Sequence, residues 1–340
     1  MSMSGLDGLA ATALRCIGLL VLVLLASVVR AASPESPEAW LERMNVALSE
    51  LTYQGEFSYF HGGDLSSLQL AHAVVDGTRH ERLVHLNGSP REIIRKGDRV
   101  TCILHPGDRL LDLDESIPAG PFAQAYSRSL TSLPDDYSAR FGPSDRIAGR
   151  DAIQIEIAPA SADRYGYRLW LDRETALLLR SELVDGSDRP LEIFQFVRIE
   201  IGGAVDMAML EAPDGDDFVQ YHLTFADDEA ERESGQVDWE PGWLPSGFEM
   251  ASWDIRRVPA REHAVASMVF SDGLASFSIF LERAPDAQSP VHHARHGATV
   301  AVMRRVSANT PEPWLVTVVG EVPMETAERV AEHVRPLDPG

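Results

Sequence analysis

Short alternating segments separated by tight-turn dipeptides run through most of the chain, and they constrain its fold more than any other feature. In residues 53–59 aromatic and polar side chains alternate with a period of two, as in a half-buried β-strand. Gly-containing pairs that supply the positive φ angles of hairpins recur at Asp76-Gly77, Asn87-Gly88, Gly97-Asp98, Gly107-Asp108 and Asp185-Gly186. Further strand-like segments follow at 152–157, 165–171, 177–184 and 191–201. The pattern predicts an antiparallel meander.

A helix is predicted before this meander. Ser36 and Pro37 suit its first positions, and Trp40, Met44 and Leu48 share one face. A second helix is predicted at 121–130. Meanders that twist and curl form barrels or half-barrels, and helices over a half-barrel leave either an apolar hollow or a filled core. The residues predicted to point inward are Phe57, Tyr59, Leu83, Ile103, Tyr167, Leu169, Phe194 and Phe196. Ordinary core packing is the alternative role for each of them, since large apolar residues are usually just buried.

An acidic stretch divides the chain. Residues 206–238 hold eight Asp and Glu between 214 and 233, but without the alternating spacing of a calcium loop. We interpret 206–238 as a linker between domains at 34–205 and 239–335, with a candidate strand of the second domain at 218–225. Five segments of the second domain resemble strands, and a helix begins near Pro323. The predicted class is α+β, with the smaller domain also α+β.

The first 31 residues resemble an export signal. An uncharged, mostly apolar run at 16–29 is preceded by Arg15 and followed by small residues at which a signal peptidase could cut. An uncleaved N-terminal anchor is the alternative. Because Cys16 lies within this segment, the mature chain keeps only Cys102, which excludes an intramolecular disulfide. Cys102 lies in the mostly apolar stretch 100–104 and is expected to be a small core residue.

Charge and motifs favour binding over catalysis. Acidic residues outnumber basic ones by 52 to 30, so nucleic acid and anionic lipid surfaces are disfavoured as partners. No nucleophile elbow, P-loop, dinucleotide fingerprint or zinc-protease motif occurs. The cluster at 292–296 holds three histidines, but flanking prolines and Gly297 indicate a loop, and Arg295 opposes a metal there. The strand histidines His61, His72, His80 and His85 are expected to face solvent. No catalytic residue, metal or cofactor is predicted.

Several segments together resemble the RseB/MucB family of periplasmic regulators of the envelope-stress sigma factor. In the first domain these are residues 39–44 (AWLERM), 53–57 (YQGEF), 169–172 (LWLD), 179–183 (LRSEL) and 191–196 (LEIFQF). In the second domain they are residues 243–248 (WLPSGF), 270–278 (FSDGLASFS) and 319–323 (VGEVP). Their order and spacing span essentially the whole predicted mature chain.

The resemblance implies a fold and a function. It implies an unclosed antiparallel β-barrel with helices over an apolar cavity, similar to LolA-type lipoprotein carriers, and a smaller C-terminal domain. It also implies a non-catalytic periplasmic protein that binds the periplasmic domain of a membrane-spanning anti-sigma factor and shields it from site-1 proteolysis. Acyl chains of lipoprotein or lipopolysaccharide are further implied ligands, and self-association is expected. The alternative function is a periplasmic lipid or lipoprotein carrier without a regulatory partner. Partner-binding candidates are Trp243, Pro245, Phe248 and Asp272.

Overall fold

The computed structural model describes residues 36–97, 99–104, 133–211, 219–224, 239–257, 264–284, 292–306 and 313–337. The predicted export signal and the helix predicted at 121–130 lie outside this part of the chain. Among the described residues, no helix has the length and apolar character needed to cross a membrane.

The first predicted helix is confirmed as α1, Pro37–Glu50. The strands of the first half of the chain are β1 Tyr53–His61, β2 Asp64–Val75, β3 Thr78–His85, β4 Arg91–Lys96, β5 Arg99–Leu104, β6 Tyr137–Phe141, β7 Asp145–Ile147, β8 Arg150–Pro159, β9 Gly166–Asp172, β10 Leu178–Val184, β11 Pro190–Ile201 and β12 Val219–Thr224. They form one sheet in the order β12-β5-β4-β3-β2-β1-β11-β10-β9-β8-β6, with β7 also on β8. All its pairings are antiparallel, and its end strands are β12 and β6, so the predicted unclosed meander is confirmed.

Helix α1 covers one face of this sheet. Its buried residues Trp40, Leu41, Met44, Ala47 and Leu48 belong to the same hydrophobic cluster as the aromatic side chains of β1, β9 and β11. We call the face of the sheet that carries these aromatic side chains the helix-side face. It holds the larger of the two main cores.

The second half of the chain forms a smaller sheet. Its strands are β13 Trp239–Pro241, β14 Glu249–Arg257, β15 Ala264–Ser271, β16 Ser276–Arg283, β17 His292–His296, β18 Thr299–Val306, β19 Trp314–Gly320 and β20 Val334–Pro336. Six of them pair antiparallel in the order β14-β15-β16-β19-β18-β17, while β13 pairs with β20. Helix α2, Met324–His333, starts after Pro323 as predicted and buries Ala327, Val330 and Ala331 in the second core. Strands dominate this half.

The structure corrects three sequence interpretations. The segment expected as a strand of the second domain is β12, which pairs with β5 of the first sheet. The segment 292–296 is the edge strand β17 rather than a loop, because Gly297, with a φ of 59°, turns it directly back onto β18. Two strand histidines are not solvent-facing. His72 is fully buried, since its ring stacks on Tyr53 and its Nδ1 bonds the carbonyl of Leu51 at 2.7 Å. The side chain of His61 is only 12% exposed, since its ring packs against other aromatic rings.

Candidate functional site at the junction of the two sheets

Two turns of the smaller sheet are inserted into the core of the larger one. Leu274 lies in the β15–β16 turn and Ala298 in the β17–β18 turn, and both belong to the hydrophobic cluster beneath α1. Their side chains are 1% and 0% exposed. The described residues from Pro37 onward belong to one compact unit, and these two turns lie at the contact between its two sheets. We call this contact region the junction.

A buried ion pair holds the first turn. Asp272 Oδ2 accepts hydrogen bonds from Arg164 Nη1 at 2.8 Å and from the Tyr137 hydroxyl at 3.0 Å. Its Oδ1 accepts from the backbone amides of Leu274 and Ala275, at 2.9 and 2.7 Å. Both charged side chains are fully buried. Burial, followed by the charge of Asp272, raises the pKa of Tyr137, so this phenol stays a hydrogen-bond donor.

Arg164 also holds the loop before β14. Its Nη2 donates to the carbonyl of Ser246 at 2.5 Å, and its guanidinium carbon lies 5.2 Å from the centre of the Phe248 ring. The next residue, Gly247, has a φ of 77°, and a Cβ there would collide with the Asp136 carboxylate. Only glycine suits that position without strain. Arg164 thus connects β15, the 245–248 loop and the first sheet.

A second cluster holds the other turn. Glu192 is 3% exposed; its Oε2 accepts from the Tyr59 hydroxyl at 2.8 Å and its Oε1 from the Ala298 amide at 3.1 Å. The imidazole Nε2 of His61 lies 3.3 Å from the same Oε1. The ring of His296 from the smaller sheet lies 4.4 Å from that of His61. We call His61, Glu192 and His296 the histidine cluster.

The predicted cavity residues lie mostly together. Phe57, Tyr59, Tyr167, Leu169, Phe194 and Phe196 are all buried in the cluster beneath α1, and Leu83 packs against its edge. The Phe57 and Phe194 rings are 4.7 Å apart. Ile103 is also buried, but the strand register places it opposite Glu92 and Val84, on the other face of the sheet from Leu83. The lipid-lining role of these residues stays a prediction.

The partner-binding candidates separate into two groups. Asp272, Phe248 and Pro245 lie at the junction and are buried. Trp243 remains half-buried, with the guanidinium of Arg329 stacked 3.9 Å from its ring. The sequence interpretation missed Tyr137, Arg164 and Glu192, because nothing local to a polar residue signals that tertiary structure will bury it.

The junction suits holding two parts together rather than covalent chemistry. Its charged side chains bond to one another or to backbone groups across the contact. Among the described residues, no group of three histidine, cysteine or acidic side chains is arranged to hold a metal. The fold and the junction together define a protein of two antiparallel sheets joined through two buried polar clusters.

Comparison with known proteins identifies its family. Two family models match the chain: the MucB/RseB N-terminal domain over residues 36–213 and the MucB/RseB C-terminal domain over residues 233–335. The chain is 34% identical over 319 residues to the sigma factor AlgU regulatory protein MucB of Pseudomonas aeruginosa, covering 93% of this chain and 96% of that relative. It is 27% identical over 313 residues to the sigma-E factor regulatory protein RseB of Escherichia coli K12, covering 92% and 94%. The chain belongs to the MucB/RseB family, as its sequence segments indicated.

Solved structures agree with this assignment. The complex of Pseudomonas aeruginosa MucA and MucB matches with a TM-score of 0.70 and 34% identity, over 88% of this chain and 98% of that chain. A crystal structure of MucB matches with a TM-score of 0.59 and 30% identity, over 87% and 96%. The match therefore extends over both sheets.

Proposed function

We propose that this chain is a negative regulator of an envelope-stress sigma factor, acting in the periplasm. It binds the periplasmic domain of a membrane-spanning anti-sigma factor and shields that domain from site-1 proteolysis. The observation that carries the proposal is the match over both sheets to MucB solved together with MucA. The protein acts by occupying its partner, without catalysis of its own.

The chain works as two domains, 34–205 and 239–335, joined through 206–238. The family models support this division because their matches end at 213 and begin again at 233. The described pieces of the joining segment, the short helix Met207–Leu210 and β12, pack on the first sheet. The smaller domain is α+β in this proposal, since α2 covers one face of its six-stranded sheet.

Among the four partner-binding candidates, we assign direct contact to Trp243 and an indirect role to the others. Trp243 is partly exposed and carries a large apolar surface beside Arg329, and such residues often contribute most to binding. Phe248, Pro245 and Asp272 instead fix the position of the loop that bears Trp243, through Arg164.

An acyl-chain ligand would require a hollow between α1 and the helix-side face. The aromatic rings there are packed at 4.7 to 5.8 Å from one another, which supports the regulator over the lipid carrier as the main function. An acyl chain could enter between Phe57, Phe194 and Phe196 only after a rearrangement that separates these three rings.

The test measures site-1 cleavage of the partner's periplasmic domain. Purified protein without its first 31 residues is added at increasing concentration to that domain and the protease. We expect cleavage to slow until the partner is saturated, and an unchanged rate at saturation would overturn the proposed function. Trp243→Ala should weaken protection, whereas Trp253→Ala, which removes a 48% exposed tryptophan from β14, is the matched control. Equal losses in both variants would reject the assignment of Trp243 while leaving the function in place.

A further inference from the structure

Two histidines from different sheets face each other across the junction. His61 ends β1 and His296 ends β17, and their ring centres lie 4.4 Å apart. The glycine after each histidine makes room for the other ring: a Cβ on Gly62 would collide with His296, and one on Gly297 with His61. Both glycines have left-handed φ values, 61° and 59°, so the close approach depends on both turns.

Glu192 links this ring pair to the backbone of the smaller sheet. The same oxygen, Oε1, receives the Ala298 amide at 3.1 Å and lies 3.3 Å from His61 Nε2. The Glu192 carboxylate is buried, so water screens its interactions with these groups only weakly. A proton on His61 therefore changes the strength of the contact that holds the β17–β18 turn in place.

We propose that the histidine cluster is a pH-sensitive latch: protonation of His61 strengthens the attachment of the β17–β18 turn to the first sheet, and deprotonation weakens it. Protonated His61 carries a donor on each ring nitrogen, so it donates both to Glu192 on the first sheet and to the backbone carbonyl of His296 on the smaller sheet. Neutral His61 carries one donor, so one of these two hydrogen bonds is lost. The inference concerns the junction itself and does not depend on the partner.

The other charged groups around His61 do not reverse this sign. Tyr59 on the same strand stacks on His61, with ring centres 5.7 Å apart, and bonds to Glu192. Asp64 on β2 lies 4.0 Å from His296 and offsets charge on that ring. Glu321, after β19, adds further negative potential at His61. His85 and Arg91 line a pocket of about 320 Å³ together with His61 and His296, and the guanidinium of Arg91 keeps its charge throughout the tested pH range.

Electrostatics agree with the geometry. Burial lowers the pKa of His61, but the hydrogen bond and charge of Glu192, the backbone carbonyl of His296 and the charge of Glu321 together outweigh burial, so the pKa is raised above 6.5. When folding raises the pKa of a group such as His61, its full stabilising contribution is present at pH values below the pKa of the unfolded state. That contribution is lost as the pH rises through the pKa of the folded state. The latch is therefore tight in mildly acidic solution and looser in mildly alkaline solution.

Hydrogen exchange at the Ala298 amide tests the latch. The amide is measured by NMR in the whole mature chain at pH 6.0 and 8.5, with each rate divided by the intrinsic exchange rate at that pH. We expect protection to fall about fivefold between the two, since deprotonation removes one of the two donors of His61, and one net hydrogen bond is worth about that factor. Amides of β19, within the smaller sheet, report on general stability and should keep their protection.

Two variants separate the latch from packing. His61→Phe keeps the ring stack without a titrating group, and His61→Gln keeps a polar side chain; both should remove the pH dependence. His80→Gln changes a partly exposed histidine on β3 and should leave the dependence as in the unmodified protein. Equal Ala298 protection at both pH values in the unmodified protein, or a fivefold fall that persists in His61→Phe, would overturn the proposal.

Discussion

Asp272→Asn is expected to destabilise the protein far more than the same change at an exposed turn. Asparagine keeps the Oδ1 acceptor for the amides of Leu274 and Ala275. It replaces Oδ2 by an amide donor that faces Arg164 and Tyr137, which both donate to that position now. The tyrosine hydroxyl can rotate and accept a hydrogen bond, but the guanidinium has no acceptor.

The magnitude follows from what Arg164 loses and keeps. Removing one partner of a buried ion pair costs about 3–5 kcal/mol, because the remaining charge stays buried without compensation. Arg164 still has the carboxylates of Asp163 at 2.8 Å and Asp136 at 3.7 Å and the Ser246 carbonyl at 2.5 Å, which places the expected loss near the lower end, about 3 kcal/mol.

Asp185→Asn is the matched control. Asp185 also accepts from two backbone amides and from one arginine, Arg189, but that arginine is 70% exposed. Its loss should be under about 1 kcal/mol, as for other exposed ion pairs. Urea unfolding at pH 7, followed by tryptophan fluorescence, measures both free energies of unfolding. If the two variants differ by less than about 1 kcal/mol, the reasoning about the buried pair is refuted.

Two other substitutions test the larger sheet. Burial raises the pKa of Glu81 from 4.5 to about 7, and burial lowers the pKa of its neighbour His72 from 6.5 to about 4. The folded state therefore holds the Glu81 proton more tightly than the unfolded state does, and the unmodified protein loses this stabilisation as pH rises from 4.5 to 7. Glu81→Gln has no such proton, so its free energy of unfolding should rise relative to that of the unmodified protein by up to about 3 kcal/mol over this range. Urea titrations across the range measure the difference, and a difference that does not change with pH would contradict the prediction. Phe194→Ala removes a ring that packs on Phe57 and Phe196 and should cost about 3–5 kcal/mol at pH 7; a cost below about 1 kcal/mol would indicate a hollow rather than a packed core.

The regular parts of the fold were predictable because local patterns specify them. Alternation marks strand β1, and the positive φ angles at Asp76 and Gly77 fix the hairpin turn between β2 and β3. The edge strands were harder. The first four residues of β17 are exposed on both faces, so no alternation marks it, and β12 joins β5 across more than a hundred residues of chain. Pairing over that distance depends on the whole fold.

The junction was predictable only in part. The turn at Asp272 was visible, because Ser-Asp-Gly is a typical turn sequence. That its carboxylate meets Arg164, 108 residues earlier, was not visible, since burial of a charge depends on the partner that tertiary structure brings to it. Glu192 and His61 were hidden for the same reason. For Phe57, Phe194 and Phe196 the side-chain class predicted burial but could not separate a packed core from a ligand cavity.

The polar character of the junction has a consequence for regulation. A buried ion pair adds little net stability over an apolar contact, yet a displaced partner is strongly penalised, so the junction favours one placement of the two sheets over intermediate ones. The two clusters, around Asp272 and around Glu192, hold turns of the same small sheet, whose Leu274 and Ala298 both lie in the other core. Opening at either cluster therefore exposes apolar surface in the shared core and weakens the other cluster.

If the anti-sigma domain contacts both sheets, its affinity includes the free energy of keeping the junction closed. A ligand that binds the open form of the protein better must then release the anti-sigma domain. Asp272→Asn should then weaken partner binding even though the Asp272 side chain is fully buried, and Asp185→Asn should not.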